Sequence, residues 1–143
     1  MTFLLDVNIL YILHQPRHAD YKVVHRWFTG KSGSRFATCA ITQSGMLRLL
    51  TQGIGGLDRF PIGDARSALQ GLIQNPHHVF WSDAPPYLEI TAPLARRMQG
   101  YRQTTDAYLL GLAKYHGGKL ATMDKAVDSL AGPEHSEIVE LVG

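Results

Sequence analysis

Three aspartates stand where apolar runs end or begin. Asp6 closes the run Phe3, Leu4 and Leu5; Asp106 opens TTDAYLLGLA; Asp124 follows Leu120 to Thr122. In open parallel sheets, ligands collect beyond the carboxyl ends of the strands. Three carboxylates gathered there would repel unless a hard divalent cation lay among them, and oxygen ligands suit magnesium or manganese. Acidic side chains around such an ion serve phosphoryl chemistry, in which the metal orients water and neutralises developing charge. Taken singly, each aspartate reads more readily as a helix cap or a dipole partner than as a catalytic group. Three of them, each beside an apolar strand or helix, shift the balance toward a site.

Other constellations carry less. His14, His18 and His25 fall in the first helical region and His77 pairs with His78. With one cysteine and no HExxH spacing, zinc has little support. Gly53, Gly55 and Gly56 lack the spacing and lysine of a phosphate-binding loop. Ser44 and Ser82 have no nucleophile-elbow context. Arg96, Arg97, Tyr101 and Arg102 precede Asp106. They could grip RNA phosphates and stack a base, or form an ordinary solvated helix end. Arg48 interrupts the apolar run Met46 to Leu50 and either lies over the acidic pocket or faces solvent.

The elements that must hold the aspartates follow from periodicity and breakers. Short apolar strands are expected at Phe3 to Leu5, Arg35 to Cys39, Val79 to Trp81, Lys119 to Thr122 and Ile138 to Leu141. Helices are expected from Asp6 or Asn8 up to Pro16, then over Ala19 to Thr29, Ile41 to Leu50 and Asp64 to Leu72, the last capped by Asp64. A short helix over Thr91 to Met98, the strong helix Thr104 to Tyr115 stopped by Gly117 and Gly118, and one starting near Asp124 complete the set. This alternation predicts an α/β fold, a three-layer α/β/α sandwich on a mostly parallel central sheet.

Composition fits one domain over 1–143: apolar residues at 45% and charged residues at 18% exclude a disordered chain. A net charge of +2 permits a nucleic-acid partner without arguing for one. Cys39 is the one cysteine, so no intramolecular disulfide forms and a reducing, cytoplasmic setting is expected, with Cys39 a buried structural thiol. The early Asp6 and the lack of a basic start argue against a signal peptide, and no apolar run approaches the ~18 residues of a membrane span.

The order of motifs resembles a PIN-domain ribonuclease, specifically the VapC-type toxin of a bacterial type II toxin–antitoxin pair. LLDVNIL matches the family's opening motif, FATCAITQSGMLRLLT its second block, and TTDAYLLGLAKYHGGKLATMDKAV its third and fourth, with HVFWSDAP between them. The resemblance implies magnesium, or manganese, held by strand-end acids that activate water to cut RNA. It places Asp6, Asp106 and Asp124 on the first, third and fourth acidic positions, as metal ligands and catalytic residues. Asn8 falls on the polar residue that accompanies the first, and Thr122 on the small polar residue two before the last. The second acidic position departs from the family: Gln43 stands where glutamate is usual, and an amide adds no charge. Gln43 and Asn8 would then orient the metal's water shell, with Asp83 a lower-ranked substitute for the missing acid. The resemblance also implies a small cognate antitoxin and a homodimer, to whose apolar surface Tyr21, Trp27 and Phe28 could contribute.

Two other readings compete. A haloacid-dehalogenase-like phosphatase also begins strand–Asp but wants Asp at position 8, where this chain has Asn8. A catalytically impaired PIN-like module that binds RNA or protein would account for the missing carboxylate at Gln43.

Overall fold

The computed structural model describes residues 1–82 and 85–143. Five strands form one wholly parallel sheet: β1 (Thr2–Leu5), β2 (Arg35–Thr38), β3 (His78–Phe80), β4 (Lys119–Thr122) and β5 (Val139–Leu141). Their order across the sheet is β3-β2-β1-β4-β5. Helices α1 (Val7–Leu13), α2 (Tyr21–Gly30), α3 (Ala40–Gln52), α4 (Ile62–Ile73), α5 (Tyr87–Ile90), α6 (Thr104–Tyr115) and α7 (Lys125–Ala131) fill the connections. Among the described residues no helix is long and apolar enough to cross a membrane.

The buried part of the central strand, Phe3 to Leu5, is apolar because both its faces are covered. Leu4 points into a core shared with Ala37, Leu120, α6 and α7. Phe3 and Leu5 point into the opposite core, with Phe36, Ala121, α1 and α3. Leu4 and Leu5 are wholly buried, each worth roughly 1.5–3 kcal/mol in surface withdrawn from water. The layers are therefore helix, sheet, helix, as the alternation of strands and helices predicts.

The connections leave β1 toward β2 and β3, then return to β4 on its other side. The sheet's order reverses between β1 and β4, and a crevice opens at such a point beyond the carboxyl ends of the two strands. Two glycines set how closely the covering helices approach. A Cβ at Gly45 of α3 would strike Val7 of α1, and one at Gly111 of α6 would strike the backbone carbonyl of Ile90 in α5. Gly117, at φ 70°, takes the left-handed turn that ends α6.

Two local expectations need correction. Asp64 is not the cap of α4: Pro61 holds that position, and Asp64 sits in the first turn, where its charge faces the helix's positive end. The helix expected over Thr91 to Met98 is instead α5 followed by a 3-10 turn, Ala92–Arg97. Pro93 has no N–H to give and disfavours helical geometry at Ala92, so the α-helix stops at Thr91.

Candidate active site

Asp6 lies at the end of the central strand. Its backbone N–H still donates to the carbonyl of Ala121 (3.0 Å), extending the β1–β4 ladder by one bond, while its own carbonyl accepts from Leu10 (3.1 Å) and starts α1. Its side chain is 8% exposed. Oδ1 accepts from the Val7 N–H (2.8 Å) and Oδ2 from the Thr122 hydroxyl (2.7 Å). Asp6 is therefore both helix cap and buried carboxylate, and the two readings of it are compatible. Burial raises its pKa; the bonds from Thr122 and Val7 oppose the rise, and the Asp124 charge adds to it.

Thr122 ends β4 and joins two acids. Its hydroxyl donates to Asp6 and accepts from the backbone N–H of Asp124 (3.1 Å). Asp124 caps α7 through Oδ1, which accepts from Ala126 N–H (2.8 Å). Asp106 stands in the first turn of α6, on the same face of the sheet as α7, and no hydrogen bond to its carboxylate occurs among the described residues. Its pKa is raised from 3.8 to about 6, first by desolvation, then by the charges of Asp6 and Asp124. The three aspartates thus share one electrostatic neighbourhood at the β1–β4 crevice.

Asn8 stands in the first turn of α1, two residues beyond Asp6, with a buried Oδ1 that has no hydrogen-bond partner among the described residues. Three carboxylates and a spare carbonyl oxygen make a hard, all-oxygen donor set, suited to magnesium or manganese and unsuited to zinc. Among the described residues, no three His, Cys, Asp or Glu side chains are already gathered tightly enough to hold an ion. Mutual repulsion of like charges favours that spacing. The donor chemistry fits a divalent ion, which would have to draw the carboxylates together.

Gln43 makes its side-chain bond on the neighbouring strand. Its amide donates to the hydroxyl of Thr38 (3.0 Å), the fully buried end of β2, and it bonds none of the three aspartates. Thr38 in turn pairs with Nε2 of His78 (2.7 Å), the first residue of β3. A hydroxyl donates once and accepts twice, so Thr38 can accept from Gln43 and still pair with His78 in either ring tautomer. Burial lowers the His78 pKa, which agrees with a neutral ring. Sequence reasoning missed Thr38. The signal was present, because β2 and β4 both end in Ala-Thr at the same edge of the sheet.

Of the remaining candidates, Arg48 faces solvent. Arg97 donates to the carbonyl of Ser129 (3.0 Å), tying the 3-10 turn to α7. Tyr101 is 80% exposed with the Arg102 guanidinium 5.7 Å from its ring centre. Tyr21, Trp27 and Phe28 are half-buried on the α1–α3 core. Cys39 is a free, buried thiol. Asp83 falls outside the described residues.

A parallel sheet with acids at its switch point defines a class of site. The PIN domain model matches residues 3–133. The chain belongs to the PIN-domain family, which leaves the phosphatase reading without support. Among curated relatives, Ribonuclease VapC44 of Mycobacterium tuberculosis is 34% identical over 137 residues, spanning 93% of each chain. Ribonuclease VapC38 of the same organism is 36% identical over 139 residues, spanning 97% of this chain and 96% of that one. Among solved structures, a crystal structure of VapBC2 from Rickettsia felis, bound to a DNA fragment from their promoter, covers both chains fully at a TM-score of 0.68. Its 12% identity makes that a likeness of fold.

Proposed function

We propose that this protein is a divalent-metal-dependent endoribonuclease, the toxin of a toxin–antitoxin pair, working as a single domain over 1–143. The observation that carries the reading is the shared field of Asp6, Asp106 and Asp124, in which Asp106 is pushed to about 6 by burial and by the other two charges. Relatives named ribonucleases, aligned over nearly the whole chain, support the activity. A neighbour solved as VapBC2 supports a small antitoxin as partner. A homodimer and a cytoplasmic setting belong to the same proposal.

The residues divide the work. Asp6, Asp106 and Asp124 would hold magnesium or manganese, with the Asn8 carbonyl beside them. Bound there, the ion supplies charge neutralisation at the scissile phosphate and polarisation of the attacking water. Thr122 fixes the Asp6 carboxylate and the Asp124 backbone at once, so neither must be ordered during the reaction. In-line attack by water leaves a 5′-phosphate and a 3′-hydroxyl. Gln43, turned to Thr38, adds no charge and acts as a prop for the edge of the sheet.

The test is cleavage of purified single-stranded RNA with EDTA, then with magnesium or manganese restored, beside D6N, D106N and D124N. Cleavage that needs the metal and is lost in all three variants is expected. Full activity in EDTA would sink the metal mechanism. One observation favours a second reading, a binding module without activity: the acids are not gathered as a three-ligand set. RNA binding without cleavage at any metal concentration would select it.

A further inference from the structure

One strand over from the acids, the same edge of the sheet carries a cavity of about 400 Å³. Cys39 and Ile41 at the start of α3, Phe80 at the end of β3, Tyr87 of α5, and Thr105 and Tyr108 of α6 line it. Thr105 adjoins Asp106 in the chain. The β1–β2 register, continued two steps beyond its last pair, sets Asp6 opposite Cys39. Phe80, paired with Thr38, lies two strands from β1, about 10 Å across the sheet.

The lining chemistry is specific. Phe80 is 51% exposed and Ile41 41%, so the cavity shows apolar surface to water. The Tyr87 and Tyr108 rings lie parallel, 7° apart in plane, with centroids at 6.2 Å. Tyr87 is held there because its hydroxyl donates to the carbonyl of Thr104 (2.6 Å). No carboxylate lines the cavity among the described residues, although Asp106 directly follows the lining Thr105. Both α3 and α6 start at its wall, so their positive ends face it. Flat aromatic faces with hydroxyls at the rim suit a planar base, which stacks on them, better than an aliphatic group.

We infer that this cavity is a base-stacking subsite, in which Phe80 and the Tyr87–Tyr108 pair take an unpaired RNA base flanking the scissile phosphate. The inference rests on the ribonuclease reading for the position of that phosphate. Phe80 is then a specificity-determining residue, because a stacked base fixes the register of the strand over Asp6 and Asp106.

The test uses the full chain, wild type, F80A and F80W, with a single-stranded RNA carrying 2-aminopurine, whose fluorescence falls on stacking. In EDTA, wild type and F80W should quench the probe, and F80A should bind it about 10-fold more weakly, as loss of one stacked base implies. With metal, F80A should raise KM more than it lowers kcat and blur the mapped cut positions, while its melting temperature stays at the wild-type value. Quenching by a wild type that cuts no RNA would still support the subsite while the nuclease reading falls. Unchanged quenching and cut positions in F80A overturn the subsite. So does a variant that differs only in neutralisation by its antitoxin, which would assign the cavity to an apolar side chain of a protein.

Discussion

Replacing Asp106 by asparagine should stabilise the protein and abolish its chemistry, and the size of the first effect follows from the site. The Asp106 carboxyl rises from 3.8 to about 6 on folding. A rise of about two pH units corresponds to about 3 kcal/mol of strain in the ionised native state. The side chain is only partly buried, so water screens the charges around it and roughly half of that survives. Asp106 also sits in the first turn of α6, where a negative charge gains about 0.5 kcal/mol from the helix dipole that asparagine forgoes. The net gain for D106N is about 1 kcal/mol, or a melting temperature higher by about 4 °C for a chain of this size.

The pH dependence fixes the cause. A carboxyl raised on folding binds more protons in the native state between 3.8 and about 6, so the stability it contributes falls as pH climbs through that window. D106N has no such loss. Its advantage should be near zero below about pH 4, grow through the window, and level off above about pH 6. Thermal melts in EDTA across that range measure it. Added magnesium or manganese should then reverse the order, because ligand binding to the native state stabilises wild type and D106N less. A D106N melting temperature at or below wild type at neutral pH, or an advantage independent of pH, would refute the electrostatic account of the site.

Three further substitutions probe other joints. T122V removes the donor to Asp6 and the acceptor for Asp124 N–H, so cleavage should fall at least about 10-fold with the acid limb of its pH–rate profile moved upward; T122S should restore most of it. Q43E adds a fourth negative group at the sheet edge, and the metal concentration for half-maximal cleavage should fall several-fold while stability in EDTA drops. An unchanged metal requirement would show that position 43 lies outside the ion's reach. G111A drives a methyl group into the Ile90 carbonyl, backbone that cannot swing aside, and should cost about 1–3 kcal/mol by urea denaturation without changing the metal requirement.

What could be read in the chain divides along a physical line. Helix Thr104–Tyr115 and strand Lys119–Thr122 match expectation at both ends because their signals are local: good helix formers, a glycine pair, then an apolar run. The start of α1 was legible to within two residues, Asp6 or Asn8, and Asp6 proves to be the cap. Asp64 and the Thr91 to Met98 segment went astray where proline governs the geometry and composition suggests something smoother. The gathering of Asp6, Asp106 and Asp124 depends on strand order. A period-based reading can place each aspartate at an element's end, but only the reversal between β1 and β4 brings the ends together.

Gln43 shows the limit most sharply. In the chain it reads as a damaged copy of an acidic position, judged by the charge it lacks. In the fold its amide is committed to Thr38, which is committed to His78 on the next strand, forty residues from Thr38 along the chain and with no local trace. That commitment has a chemical direction. Glutamate at position 43 would carry no proton to donate, so the Thr38 hydroxyl would have to choose between the carboxylate and His78, and the imidazole would need its proton on Nε2 to keep its bond. Glutamine removes the competition, because its N–H donates and leaves the Thr38 proton free, at the β2–β3 edge that also carries Phe80. Gln43 therefore does more than leave the acids one charge short: it locks the wall beside them.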